Sequence, residues 1–182
     1  QHARTWLSKR SGSRGGEAGG PFLQVNDPGQ QALMLTGRTL FKGMAFEDVR
    51  RMQVDIETHT APGFEFCNPE RESDRIIIIA LSDSDGWTEI MEERSGDEAR
   101  LLRRFAEAVR ARDPDVIEGH NIFKFDLPYL AARARRHRVK LALGRDGSAM
   151  TSRASRFTAG DRTIPYPRFE VFGRHIVDTF FL

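Results

Sequence analysis

Met52-Gln53-Val54-Asp55-Ile56-Glu57-Thr58 alternates apolar and polar residues. Side chains along a strand point to opposite sides in turn, so Met52, Val54 and Ile56 share one face while Gln53, Asp55 and Glu57 share the other. Two carboxylates therefore project together from a strand whose other face is built for a core. Adjacent carboxylates repel and resist desolvation, so carrying them into a fold calls for a compensating cation, either basic side chains or a divalent metal. Oxygen-only ligands with room for water and a phosphate favour Mg²⁺ or Mn²⁺. Taken alone, Asp-x-Glu is common, and a solvated pair on an exposed strand face is the default reading.

Farther along stands Glu118-Gly119-His120-Asn121-Ile122-Phe123-Lys124-Phe125-Asp126-Leu127-Pro128-Tyr129-Leu130. Asp113-Pro114 ends a helix, Val116-Ile117 is a short apolar strand, and Gly119 through Lys124 forms a loop. Leu127-Pro128 opens the next helix, since proline near the first helical position loses no hydrogen bond. Asp126 is thereby placed at the helix mouth, where an aspartate serves equally as an N-cap or as a ligand. Asn121 fits a turn and His120 the surface.

Together, Asp55-Ile56-Glu57-Thr58 and the later Gly119-His120-Asn121 and Phe125-Asp126-Leu127-Pro128-Tyr129 resemble the first two exonuclease motifs of family B DNA polymerases. These belong to the DEDD group of 3′→5′ exonucleases, and the resemblance runs from about Phe46 to the C-terminus. It implies an α/β, RNase H-like mixed sheet, with three antiparallel strands followed by α-β-α-β, helices on its faces and no final helix. It implies that Asp55, Glu57 and Asp126 are catalytic metal ligands for two Mg²⁺ or Mn²⁺ ions, and that Asn121, Phe125, Thr58 and Tyr129 contact DNA. The implied partners are a single-stranded DNA 3′ end and a polymerase domain of the same parent chain. The group's third motif, Tyr-x-x-x-Asp or His-x-x-x-x-Asp, has no counterpart before Leu182. Asp178 is a weak substitute that reads better as a polar residue ending a strand. Little or no nuclease activity is therefore expected from these residues alone. The alternative is a catalytically inactive nucleic-acid-binding RNase H-like domain; a nuclease for RNA ends or Holliday junctions would share Asp-x-Glu but not the second block.

The chain has 182 residues, 39% of them hydrophobic, which suits one ordinary domain with a core. A net charge of +2 argues only weakly for nucleic acid. Cys67 stands alone, which excludes a cysteine zinc site and fits a reducing compartment. With no signal peptide and no bilayer-length apolar run, a cytoplasmic domain without membrane contact is expected.

Residues 1–31, rich in Gly, Ser and Arg, read as a flexible linker, and 32–182 as the exonuclease domain. Leu33-Met34-Leu35 and Arg38-Thr39-Leu40-Phe41 look strand-like. Ile76 to Leu81 reads as a strand buried on both faces, and Asp85-Gly86 turns it back through Trp87 to Met91. Ser95-Gly96-Asp97-Glu98 matches a capping box before a helix with Leu101, Leu102, Phe105, Ala108 and Val109 on its apolar face. After the helix from Leu127 to about His137, a long connector leads to a hairpin of Phe169–Phe172 and His175–Phe181. Arg133, Arg135, Arg136, His137, Arg138 and Lys140, and then Arg145, Arg153, Arg156, Arg162 and Arg168, read either as solvated positive charge or as a phosphate-tracking surface.

Overall fold

The computed structural model describes residues 25, 27–38, 41–94 and 96–182. They fall into two units, Gln1–Met44 and Ala45–Leu182. In the first, helix α1 (Pro28–Thr36) begins at Asp27, whose side chain accepts from the Gln30 N–H, and ends at Gly37 in the left-handed region. Leu33-Met34-Leu35 is thus helical rather than extended. The Asp27-Pro28 start and the Gly37 stop are helix punctuation, and they outweigh the short apolar run. Most of the linker reading, and Thr39 and Leu40, lie outside the described residues.

The second unit is built on a sheet of β1 (Arg51–Thr58), β2 (Ile76–Asp83), β3 (Thr88–Glu92), β4 (Val116–Gly119) and β7 (His175–Asp178) in the order β3-β2-β1-β4-β7. The first three strands are antiparallel, and β1, β4 and β7 run parallel. Helices α2 (Glu98–Arg112) and α3 (Asp126–Arg136) supply the parallel crossovers with their buried faces, Leu101, Leu102, Phe105, Ala106 and Val109 on one, Leu127, Leu130 and Ala134 on the other. These join Met52, Val54 and Ile56 in a single core. Order and directions are those of the RNase H-like sheet expected from the sequence.

Ile76 to Leu81 is not buried on both faces. A bulge opposite Glu57 and Thr58 shifts the register, so that Ile76 and Ile79, three residues apart, both reach the core while Ile77 and Ile78 remain half exposed. The sheet's other face is open there, and Ile90 beside Ala80 is 67% exposed.

The connector before β7 is not irregular. Strands β5 (Thr151–Ala159) and β6 (Arg162–Glu170) form a separate two-stranded ribbon that turns at Gly160. Charged and small residues blur its alternation, and β6 carries Pro165 and Pro167, which lack the N–H a central strand needs. With only one neighbour, however, β6 has a free edge that needs no N–H. The expected hairpin at its end shrinks to a bridge between Val171 and Arg174, because β7 pairs with β4 instead.

Helix α2 is capped by Asp97, which accepts from the Arg100 N–H at 2.9 Å; Ser95 lies outside the described residues. Glu98, expected to complete a capping box, is buried and takes the Ile76 N–H at 2.8 Å instead. Arg133, read as part of a basic surface, is 1% exposed and reaches Glu98 at 2.6 Å. Its guanidinium also donates to the carbonyls of Pro69, Arg71 and Glu72. His137 adds a 2.6 Å contact to the same carboxylate. Arg135 and Arg136 pair with Glu70 and Glu72. In the second basic set Arg145 is held by Asp113 and Asp115, and Arg153 by Glu170.

Candidate active site

Beyond Gln53 the strand β1 loses its parallel neighbour, because β4 pairs only as far as Glu118 opposite Gln53. The chain leaves β4 through Gly119, where a Cβ atom would lie 2.8 Å from the Val54 carbonyl oxygen. Only a residue without a side chain permits that approach. The next turn is made by Asn121, in the left-handed region at φ 59, whose carbonyl accepts from Lys124 N at 3.0 Å and Phe125 N at 2.9 Å. Ile122 and Phe123 drop into the core. The chain then enters α3 against the unpaired edge of β1.

Asp126 is the first residue of α3 rather than its cap, a position taken by Phe125. It is 2% exposed, and its Oδ1 accepts the Ile56 N–H at 3.2 Å, replacing the missing ladder partner. Ile56 lies between Asp55 and Glu57, so the helix acid meets the strand at the acidic pair. Burial lifts its carboxyl, the charges of Asp55 and Asp178 add to the shift, and the N–H groups of Asp126 and Ile56 oppose it, leaving the group up at about 6.

Asp55 and Glu57 share the exposed face of β1 as expected. Asp55 lines an open cavity of about 610 Å³ with Gln53, Ala80, Ile90, His120 and Thr179 among its other walls. Among the described residues no group of three or more His, Cys, Asp or Glu side chains is gathered closely enough to hold a metal ion.

Asp178 ends β7 beside this loop. Its Oδ1 accepts from Asn121 N at 2.8 Å and from Phe180 N at 3.0 Å, and its Oδ2 from Phe123 N at 3.1 Å. It gathers the loop, and the sequence offered no signal for that beyond a polar residue ending a strand. Asn121 is half buried, Thr58 half exposed at the end of β1, and Phe125 half buried with its ring centroid 5.6 Å from that of Tyr129. Tyr129, expected to contact DNA, is instead a core residue. It is 3% exposed, its hydroxyl donates to the Asp74 carbonyl at 2.8 Å, and burial pushes its phenol up. A residue overlooked by the sequence reading is Thr179, which follows Asp178 and lines the cavity.

The sequence profile of the family described as DNA polymerase family B, exonuclease domain, matches residues 37–181. A DNA polymerase of Archaeoglobus fulgidus is 35% identical over 113 residues, which are 62% of this chain and 14% of that protein. DNA polymerase 2 of Aeropyrum pernix is 39% identical over 97 residues, 53% of this chain and 12% of its own length. The structure of the family B DNA polymerase from Pyrobaculum calidifontis superposes with a TM-score of 0.58 at 32% identity, covering 72% of this chain and 15% of that one. The matched stretch thus spans about one seventh or less of the curated polymerases it resembles. Both acidic segments fall inside the matched residues, on the strand and helix mouth of an RNase H-like sheet, and the chain belongs to the exonuclease-domain family of the family B DNA polymerases.

Proposed function

We propose that this domain hydrolyses 3′-terminal phosphodiesters of DNA, removing nucleotides from a single-stranded 3′ end as the proofreading part of a longer chain that also carries a polymerase domain. The observation that carries this reading is the buried carboxyl of Asp126, bonded to Ile56 N–H and charged against Asp55, inside a family match that covers both acidic segments. No helix among the described residues is long and apolar enough to cross a membrane.

The donors fit a hard divalent cation: they are all carboxylate oxygens, and they carry an excess of negative charge that a neighbouring cation would relieve. Asp55, Glu57 and Asp126 would hold two Mg²⁺ or Mn²⁺ ions, which when bound lower the pKa of water and neutralise charge on the phosphate. Asp126 enters this chemistry from a buried, hydrogen-bonded position, so its oxygens lose little freedom on engagement. Asp55 and Glu57 approach from solvent and can reorient. Asn121, Phe125 and Thr58 lie beside the acids and contact the substrate strand.

The test uses the polymerase-length parent protein and a 5′-labelled single strand with Mg²⁺. Stepwise shortening from the 3′ end, abolished by Asp55→Ala and by Asp126→Ala without loss of polymerisation, is expected. Binding of the strand without shortening in the unaltered protein would favour the inactive nucleic-acid-binding alternative.

A further inference from the structure

We propose that Gln53 is a positioning residue for Asp55: clamped between Ser82 and Glu118, it fixes strand β1 just before the acid projects and so sets where the Asp55 carboxylate is presented. On the exonuclease reading, on which this rests, Asp55 is a metal ligand, and Gln53 acts through the strand rather than on metal or substrate.

Gln53 stands two residues before Asp55 on the same face of β1, about 7 Å along the strand. Its carboxamide is used at both ends. The Oε1 atom accepts from the Ser82 hydroxyl on β2 at 2.9 Å, and Nε2 donates to Glu118 Oε1 on β4. A carboxylate only accepts, so Glu118 settles which way the amide faces. Arg51 Nη1 donates to the same Glu118 oxygen at 3.2 Å, and its guanidinium lies 4.9 Å from the centroid of the Phe46 ring. Ser82 and Glu118 are the residues directly opposite Gln53 on its two neighbouring strands, so side chains join β2, β1 and β4 across the open face of the sheet. Polar side chains on such a face ordinarily turn to water. Glu118 does not, since only 16% of its side chain is exposed.

The place matters because the ladder stops there. Gln53 and Glu118 are the last pair between β1 and β4, and beyond them β1 has no ladder partner on that side until Asp126 Oδ1 takes the Ile56 N–H at 3.2 Å. Asp55 lies in the middle of this span. Asp126 clamps one end and the Gln53 amide the other. Without the amide the pairing of β1 with β2 remains, so the strand survives while its hold on β4 loosens next to the acid. The neutrality of Gln53 counts as well. A charged residue there would set another anion beside Asp55 and opposite Glu118, whose own charge is offset by Arg51.

The experiment follows shortening of a 5′-labelled single strand by the polymerase-length parent protein over a range of Mg²⁺ concentrations. Gln53→Leu keeps the bulk of the side chain and loses both hydrogen bonds. Because a misplacement of about 1 Å can cost about 10²-fold in rate, kcat should fall on the order of tenfold, with KM for the strand unchanged. The Mg²⁺ concentration for half-maximal rate should rise, and polymerisation by the same protein, unaltered, shows that the chain has folded. Glu118→Leu should behave like Gln53→Leu, and Glu118→Gln, which still offers an acceptor, should recover most of the rate that Glu118→Leu loses. A raised KM with the parent kcat would make Gln53 a strand contact and overturn the proposal. Parent rates in both leucine variants would overturn it too, and either result leaves the exonuclease reading standing. Should Gln53→Leu fail to fold, Ser82→Ala removes one end of the clamp: a lower kcat at unchanged KM supports the proposal, and the parent kcat defeats it. A parent protein that never shortens the strand defeats both readings.

Discussion

Asp126 joins two demands that pull against each other. Its folded carboxyl sits at about 6, above an ordinary 3.8, so between these values the folded chain holds a proton that the unfolded chain has released. Its own contribution to stability is therefore most favourable below 3.8 and falls as pH rises through the window to about 6, by up to about 3 kcal/mol for a shift of about two units. Asn in its place still accepts the Ile56 N–H but carries no charge. Asp126→Asn should melt several degrees higher than the parent at pH 8 and no higher below pH 4. Mg²⁺ should raise the melting temperature of the parent alone, because a ligand stabilises only the fold that binds it. Equal melting curves at pH 8 would show that the carboxyl is not under electrostatic strain. Asp113 works in a separate window, since Arg145 and Arg174 hold it down to about 2 and its contribution disappears only in stronger acid.

At the scale of elements, the loop between β4 and α3 is shaped by a residue from β7. Asp178→Ala removes an acceptor from the Asn121, Phe123 and Phe180 N–H groups, and the loss should be about 2–4 kcal/mol in urea unfolding. Asp178→Asn keeps an acceptor and should lose less. If Asp178 acts by positioning, nuclease activity in the parent protein survives partly in the Asn variant; complete loss there with unchanged stability would make it a ligand instead. The strands and helices were legible wherever a period was clean: the alternation of β1 and the Asp85-Gly86 turn appear as read, and so does the stripe of α2 except that Ala106 is buried and Ala108 only partly so. What escaped was non-local. The β5–β6 ribbon is fixed by Phe157 and Tyr166 packing on Phe181 and Phe123, contacts that no window of sequence contains. Asp55, Glu57 and Asp126 were recognisable by motif, whereas the burial of Tyr129 depended on Asp74, far away in the chain.

Across the whole molecule, one carboxylate ties three elements together. Glu98 at the start of α2 receives the Ile76 N–H from β2, the Arg133 guanidinium from α3 and His137 from the C-cap of that helix. Glu98→Ala strands a buried cation and should cost about 3–5 kcal/mol in chemical denaturation. Changing both partners to leucine should not restore stability, because the carbonyls of Pro69, Arg71 and Glu72 then lose their donor. Full recovery in that double variant would reduce the cluster to an isolated pair. The dependence of the loop on Asp178 also has a meaning in time. A ribosome adds roughly 5–20 residues each second, so Asp126 leaves the peptidyl-transfer centre seconds before the side chain that shapes its loop has been made. Asp55 comes earlier still. The acids are made first, so a nascent chain carries Asp126 without the loop geometry around it until the strand ending at residue 178 has docked.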